Sequence, residues 1–150
     1  MIVLFDEDVI LDLLLDKEPF AEAATQIFSK VEKGSITGYV CAMTITTIHY
    51  LATKTAGVSK AKKSIHKLLS LLEVAPVNRA VLEGALEGTY DDFEDGVVSE
   101  AASHVGAKAI ITRNVRHYRN STVPAYLPTE ILKMLTVGDD WKHPQFRDRK

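Results

Sequence analysis

The stretch MIVLFDEDVILDLLL, residues 1–15, decides the fold of this chain. Residues 2–5 form a short apolar run without alternation, which is typical of a strand buried on both faces of a parallel sheet. The acidic run 6–8 follows directly, and a second apolar run over 9–11 begins a helix. Ligands of parallel sheets gather at the carboxyl ends of the strands. The acidic turn therefore lies where a functional site is expected.

Two interpretations of the acidic turn compete. In the first, Asp6 or Asp8 caps the helix that begins near Val9, which is a frequent use of aspartate. In the second, the adjacent acids form a hard-metal or phosphate site, because neighbouring carboxylates repel each other and gain most when a cation is present. Position alone leaves the two interpretations even.

Length and composition are those of one ordinary globular domain. The chain has 150 residues, of which 46% are hydrophobic and 25% are charged, and this suffices for a single core. No apolar run approaches the ~18 residues of a membrane span, and no leader pattern is visible, so we expect neither a span nor a signal peptide. Cys41 is the only cysteine. It cannot form an internal disulfide, and the reducing cytoplasm is the predicted location.

The net charge of −2 conceals a segregation of charge along the chain. Residues 1–16 contain five acids and residues 83–100 contain seven, with no lysine or arginine in either stretch. Basic residues instead occupy 54–67 and 108–119, which contain no acids. Solvated helix faces usually explain such runs. Acidic centres flanked by basic stretches also suit a metal-dependent enzyme that acts on a polyphosphate.

Apolar periodicity beyond the opening stretch alternates between helix and strand. It predicts helices over 19–33, 44–55, 59–72, 79–87, 93–105 and 129–135, and strands over 36–42, 73–77, 108–112 and, weakly, 124–127. Pro76 favours an edge position for the strand that contains it. The alternation predicts an α/β fold, a three-layer α/β/α sandwich with a mostly parallel sheet. The domain is predicted to span 1–135, followed by a polar C-terminal tail over 136–150.

Separate segments bring polar residues to one rim of this predicted sheet. Asp6 ends the first strand, Asp92 and Asp95 open the helix before the fourth strand, and Asn114 follows that strand. If the first and fourth strands are neighbours, Asp6, Asp95 and Asn114 converge on an oxygen-rich site for Mg²⁺ or Mn²⁺. Taken singly, Asp92 or Asp95 is better explained as a helix cap or as a favourable charge on the helix dipole. The convergence of residues from three separate segments nevertheless favours a cation site.

These motifs together resemble the PIN-domain ribonucleases, a family that includes the toxins of bacterial toxin–antitoxin pairs. The resemblance covers roughly residues 1–132 and rests on the order and spacing of FDEDVILDLLL, AMTITTIHYL, DFEDGVVSEAASHVGA, AIITRNVRHY and PTEIL. Asp6 matches the first acid of the family, and Asp95, eleven residues before Gly106, matches the third. The resemblance implies a five-stranded sheet, an RNase that depends on Mg²⁺ or Mn²⁺, an antitoxin protein as partner, and a homodimer.

The chain departs from the family pattern at two acids. Thr47 stands where the family usually has a Glu, and Asn114 or His117 stands where it usually has an Asp. Partial replacements are available in Asp8, Asp92 and Glu94. Fewer anionic ligands weaken the binding of a hard cation. A PIN-like module that binds RNA or a partner without cleaving RNA is therefore the alternative function.

A rival interpretation comes from another class of enzyme. IVLFDEDVI also fits the opening motif of haloacid-dehalogenase-like phosphatases, in which Asp-x-Asp supplies a nucleophile and an acid/base. The later metal-binding acids of that class would be Asp139 and Asp140, but 136–150 shows no strand to carry them. The PIN resemblance is preferred. The predicted catalytic residues are Asp6, Asp95, Asp92, Asn114 and Thr47, and the predicted metal ligands are Asp6, Asp95 and Asp8.

The basic residues divide into two groups by their place relative to the predicted site. Arg113, Arg116 and Arg119 follow the fourth strand and flank the site, so they are predicted to hold RNA phosphates. The lysines from Lys54 to Lys67 are predicted only to solvate a helix face.

Overall fold

A computed structural model of the protein describes residues 1–142, with side chains through residue 136. Helices and strands alternate in the predicted order. The strands are β1 (Ile2–Phe5), β2 (Thr37–Cys41), β3 (Glu73–Ala75), β4 (Ala109–Ile111) and β5 (Ala125–Tyr126). The helices are α1 (Glu7–Leu14), α2 (Ala21–Glu32), α3 (Ala42–Ala56), α4 (Val58–Leu71), α5 (Arg79–Glu87), α6 (Phe93–His104) and α7 (Pro128–Lys142), with a 3₁₀-helix at Val115–Tyr118.

The strands form one parallel sheet in the order β3-β2-β1-β4-β5. The first strand, β1, lies at the centre, where Leu4 pairs with Tyr39 of β2 and with Ile110 of β4. The predicted adjacency of the first and fourth strands is confirmed. The strand before Pro76 lies at the edge, as predicted.

Helices cover both faces of the sheet. Val3 and Phe5 point into one core with α1 and α2, whereas Leu4 points into a second core with α5 and α6. All three side chains are fully buried. Because neither face of β1 meets solvent, its sequence needs no polar alternation. The three-layer α/β/α arrangement predicted from the alternation of strands and helices is confirmed.

Most helix ends lie within two residues of the predictions, and the start of α1 and the end of α7 have consequences for the interpretation. α1 begins at Glu7 rather than near Val9, because the Asp6 carboxylate accepts a hydrogen bond from the Glu7 amide and caps the helix there. α7 extends to Lys142, although it was predicted to end at Leu135. No proline follows Leu135 until Pro144, so no proline ends the helix at Leu135. The rest of the predicted tail, 143–150, lies outside the described residues.

The long α7 also bears on the phosphatase rival. Residues 138–140 lie inside this helix and do not follow a strand of the sheet. The phosphatase interpretation requires its metal-binding acids to follow a strand of the sheet, and Asp139 and Asp140 do not. Within residues 1–142, no helix combines the length and the apolar character needed to cross a membrane.

Candidate active site

An acidic cavity of about 90 Å³ lies at the rim of the sheet where β1 and β4 end. We call it the acid cavity. Its walls come from α1, α3, α6 and the loop after β4, and the lining residues are Asp6, Glu7, Asp8, Thr44, Glu94, Asp95, Val98, Asn114, His117 and Tyr118. The predicted site residues that the fold brings together here are Asp6, Asp8, Asp95 and Asn114.

Asp6 fits both interpretations of the acidic turn. Its Oδ1 accepts a hydrogen bond from the Glu7 amide at 2.9 Å, which caps α1. Its Oδ2 accepts a hydrogen bond from the Thr112 hydroxyl at 2.9 Å. The backbone amide of Asp6 donates to the Ile111 carbonyl at 2.9 Å, which continues the pairing of β1 with β4. The sheet therefore fixes the position of this carboxylate.

Asp8 has one well-satisfied oxygen and one without a partner. Its Oδ2 accepts hydrogen bonds from the Arg113 backbone amide and the Asn114 side-chain amide, both at 3.0 Å. Its Oδ1 is buried and has no hydrogen-bond partner among the described residues. Burial, followed by the charge of Asp6, raises the pKa of Asp8, and the Arg113 amide works in the opposite direction. A buried carboxylate oxygen without a partner is costly and is free to receive a ligand.

The opposite wall belongs to α6. Asp92 caps this helix by accepting a hydrogen bond from the Glu94 amide at 3.2 Å, which confirms the capping interpretation for Asp92. Asp92 does not line the acid cavity, but Asp95 does, and its Oδ2 lies 4.0 Å from Nδ1 of His117. Burial and then the charge of Asp92 raise the pKa of Asp95 to about 6, although His117 lowers it.

The pKa values of two further groups, Glu7 and Tyr118, also reflect the negative charge of the acid cavity. Burial raises the pKa of Glu7, and the nearby carboxylates of Asp6, Glu94, Asp8 and Asp95 raise it further. Burial also raises the pKa of the Tyr118 phenol, again with the help of the Asp6 and Asp95 charges. Keeping these carboxylates charged together costs free energy, and a bound cation would lower that cost.

The chemistry of the lining residues fits a hard divalent cation. Carboxylate and amide oxygens are the ligands that Mg²⁺ and Mn²⁺ prefer, and the buried Oδ1 of Asp8 lacks any other partner among the described residues. Within the described part of the chain, no three acidic, histidine or cysteine side chains are close enough together to hold an ion. The oxygen ligands that a cation needs are therefore present in the lining, but in this structure they do not lie close enough together to hold it.

Thr47 does not line the acid cavity. It is half-buried on α3, and the threonine that lines the cavity is Thr44, one turn earlier, which is 5% exposed. A threonine side chain at position 47 ends short of the cavity and carries no charge. Helix α3 therefore contributes the Thr44 hydroxyl, and not a carboxylate, to the acid cavity.

Among the three arginines predicted to hold RNA phosphates, Arg113 has its guanidinium paired with Asp12. Nε donates to Asp12 Oδ2 at 2.7 Å and Nη2 donates to Asp12 Oδ1 at 3.1 Å. Arg119 makes a similar two-pronged contact with Asp91, at 2.8 and 3.2 Å. Arg116 alone of the three has no carboxylate partner within the described residues.

A larger basin of about 700 Å³ opens beside the acid cavity. The two share Asp95 and His117. The remaining residues that line the basin are Asp91, Asp92, Arg116 and Arg119. Arg116 is therefore placed where an extended anionic ligand would pass on its way into the acid cavity.

Asp12, Thr44 and Thr112 were not predicted from the sequence as site residues. Asp12 could have been found, because it stands four residues after Asp8 and residues at that spacing share one helix face. Thr112 could not have been found from local sequence, because its contact with Asp6 joins positions 106 residues apart. Only the pairing of β1 with β4 places its hydroxyl beside the acids.

Solved structures with the same fold include bacterial VapBC assemblies and a VapC toxin. VapBC2 from Rickettsia felis, bound to a promoter DNA fragment, has a TM-score of 0.68 at 12% identity over 85% of this chain and 98% of that chain. VapBC-1 from nontypeable Haemophilus influenzae has a TM-score of 0.64 at 17% identity over 86% and 99%. VapC20 from Mycobacterium tuberculosis, described as a sarcin-ricin loop cleaving toxin, has a TM-score of 0.58 at 12% identity over 72% and 86%. At these identities the likeness shows the fold alone.

A direct match to a curated protein sequence was not found. The sequence profile of the PIN domain matches residues 2–116. This match takes in most of the chain, including β1, the start of α6 and the loop after β4. Eight of the ten residues that line the acid cavity fall inside it, among them Asp6, Asp8, Asp95 and Asn114. The chain belongs to the PIN domain family.

Proposed function

We propose that this protein is a metal-dependent endoribonuclease of the PIN type, acting as the toxin of a toxin–antitoxin pair, with the acid cavity as its active site. The observation that carries the proposal is the convergence of carboxylates from α1 and α6 on one cavity at the rim of the sheet. Their mutual repulsion and the free Oδ1 of Asp8 support a divalent cofactor, Mg²⁺ or Mn²⁺.

In this proposal Asp6, Asp8 and Asp95 hold the cation. Bound there, it would supply an activated water and stabilise the charge that develops on the phosphorane. Asp6 is fixed by Thr112 and by the sheet, whereas Asn114 orients Asp8 by donating a hydrogen bond to it. Asp92 contributes by capping the helix that presents Asp95. Thr47 supplies no contact to the acid cavity in this arrangement.

His117 has a separate proposed role. Its Nδ1 lies 4.0 Å from the Asp95 carboxylate, and the ring lines both the acid cavity and the basin beside it. Histidine exchanges protons near neutral pH, so His117 is placed to exchange a proton with a group of the substrate that enters from the basin. Arg116, exposed on the same side, is the basic residue that we assign to an RNA phosphate.

The partners follow from the family and from the solved complexes. The structures from Rickettsia felis and Haemophilus influenzae are VapBC assemblies, and we propose an antitoxin protein as the partner of this chain too. Copurification with the product of the adjacent reading frame tests that partner. A homodimer and a cytoplasmic location rest on the PIN resemblance and on the single buried Cys41. Light scattering of the purified chain and cell fractionation test these two proposals.

Cleavage of RNA by the purified protein, with Mn²⁺ or with EDTA, is the decisive experiment. Wild type should cut only with the cation, and Asp6→Asn should remove the activity while leaving the circular dichroism spectrum unchanged. Asp16→Asn is the matched control, because Asp16 is an exposed acid just after α1, outside the cavity. Its positive φ of 50° is one that Asn tolerates well. Equal cleavage by wild type and Asp6→Asn would exclude the acid cavity as the active site.

The second candidate function is a module that binds RNA or a partner without cutting RNA. Two observations favour it. The only α3 residue that lines the acid cavity is Thr44, which carries no charge, and the Asn114 amide donates a hydrogen bond to Asp8 from a position where the family usually has an Asp. Binding of RNA with no cleavage at any Mn²⁺ concentration would select this function.

A further inference from the structure

The loop that leaves β4 is fastened to α1 at two levels. Asp8 and Asp12, one helical turn apart, both face this loop. At the upper level, the backbone amide of Arg113 donates to Asp8 Oδ2 at 3.0 Å. At the lower level, the guanidinium of Arg113 donates twice to Asp12, at 2.7 and 3.1 Å. One residue of the loop therefore contacts both acids.

The lower contact is built as a rigid unit. The Asp12 side chain is 2% exposed, and that of Arg113 is 29% exposed. The guanidinium carbon lies 3.9 Å from the centroid of the Phe20 ring, just before α2. A planar guanidinium held by two parallel hydrogen bonds and stacked on a ring has little freedom to turn. The backbone of Arg113 is fixed with it.

The fixed backbone of Arg113 contacts Asp8, one of the residues that line the acid cavity. Asp8 Oδ2 accepts hydrogen bonds from Arg113 and from the next residue, Asn114. With that oxygen occupied, the unpartnered Oδ1 of Asp8 is the one left for a ligand. The orientation of Asp8 in the acid cavity thus depends on where the Arg113 backbone lies.

We propose that Asp12 and Arg113 are positioning residues for the cation: through the Arg113 backbone, their buried ion pair fixes the orientation of Asp8 in the lining of the acid cavity. This inference rests on the proposed function, because it concerns the cation of that active site. It assigns Arg113 a task different from contact with RNA. It also gives a function to Asp12, which lies below the cavity and does not line it.

The test uses Arg113→Lys in the full chain. Lysine keeps the charge but has no planar fork and cannot donate two parallel hydrogen bonds to Asp12. Titration calorimetry with Mn²⁺ alone should show binding roughly tenfold weaker than in wild type, the usual effect of losing a group that orients a metal ligand. In RNA cleavage, kcat should fall while KM for RNA stays the same. A purely structural ion pair would lower the melting temperature without changing the Mn²⁺ affinity of the folded protein.

Arg119→Lys is the matched control for the titration. Its guanidinium makes the same two-pronged contact with Asp91, but the two side chains are 68% and 51% exposed, and neither lines the acid cavity. Its Mn²⁺ affinity should equal that of wild type. If Arg113→Lys does not fold, Phe20→Leu takes its place. Phe20 is 41% exposed, and this change removes the stacked ring while leaving the ion pair, so it should weaken Mn²⁺ binding in the same direction but less.

The outcomes separate the inference from the function on which it rests. Wild-type affinity in the folded Arg113→Lys or, in its place, Phe20→Leu would overturn the inference and leave the proposed function standing. Failure of wild type itself to bind Mn²⁺ would overturn both. An equal loss of affinity in Arg119→Lys would also count against the inference, because any arginine near the site would then have the same effect.

Discussion

The two acidic walls of the cavity differ in how their charges are satisfied. On the α1 side, Asp6 and Asp8 accept hydrogen bonds from Thr112, Arg113 and Asn114, all from the loop after β4. On the α6 side, the polar contact of Asp95 among the described residues is the weak one with His117 at 4.0 Å, and the pKa of Asp95 is raised to about 6. The α1 wall is therefore assembled by the fold, whereas the α6 wall gains most from a bound cation.

This difference separates the parts of the site that the fold fixes from those that depend on a ligand. Substitutions on the α1 side should mainly change the stability of the fold and the geometry of Asp8. Substitutions on the α6 side should mainly change how the protein responds to pH and to divalent cations.

The largest expected effect is on stability and comes from Asp12→Ala. It leaves the Arg113 guanidinium without its partner in a largely buried position, and loss of one partner of such a pair costs roughly 3 kcal/mol. Asp91→Ala removes the partner of the exposed Arg119 and should cause no measurable change. Urea denaturation of both variants checks the difference. Equal stability of the two variants would show that the buried pair is no more important than the exposed one.

The next effect is a pH-dependent stabilisation by Asp95→Asn in the presence of EDTA. Asp95 has a pKa of about 6 in the folded protein, above its ordinary value of 3.8. The folded state therefore binds the proton more tightly than the unfolded state, and its stability falls as pH rises through this window. The Asn side chain does not ionise, so the variant does not lose this stability as pH rises. Its melting temperature should exceed that of wild type at about pH 7.5, and the gap should close by about pH 4.

Saturating Mn²⁺ should reverse that order at neutral pH, because the cation pairs with the carboxylate that Asn lacks. Melting curves of both proteins with and without the cation provide the measurement. A variant that is less stable than wild type in EDTA at neutral pH would contradict the repulsion assigned to the α6 wall.

A smaller gain in cation affinity is expected from Thr47→Glu. Thr47 lies one turn beyond Thr44 on α3, and the longer side chain carries a carboxylate toward the acid cavity. An added negative charge near Asp6 and Asp95 should tighten Mn²⁺ binding severalfold and raise RNase activity. Thr46→Glu is the control, because Thr46 is exposed at the preceding position of the helix. Calorimetry that shows equal affinity in both variants would mean that position 47 does not reach the cation.

The smallest expected effect concerns RNA. Arg116→Ala should lower the slope of log affinity against log salt by about 0.7, the contribution of one phosphate contact with single-stranded RNA. Arg119→Ala should change this slope less, because Asp91 already neutralises Arg119. Fluorescence anisotropy with a labelled RNA at several salt concentrations measures both slopes. If Arg119→Ala has the larger effect, the RNA displaces Asp91 and the two arginines exchange roles.

Local sequence determined the elements of this fold and their class. The apolar run of β1 predicts a strand covered on both faces, and the acids after it mark the end of the strand. Helix α5 was predicted with its observed bounds of Arg79–Glu87. Such patterns are legible because periodicity and caps depend on residues within a few positions of each other. The same locality made Asp6 and Asp95 visible as candidates.

Only the tertiary structure decided how the side chains share their partners. Asp12 and Arg113 stand 101 positions apart, and nothing local distinguishes Arg113 from Arg116. The parallel pairing of β1 with β4 brings α1 and the loop after β4 together, and the buried carboxylate of Asp12 then takes the nearest guanidinium. A charged group inside a protein must be paired to remain charged. That requirement is met only on folding, when Arg113 pairs with Asp12.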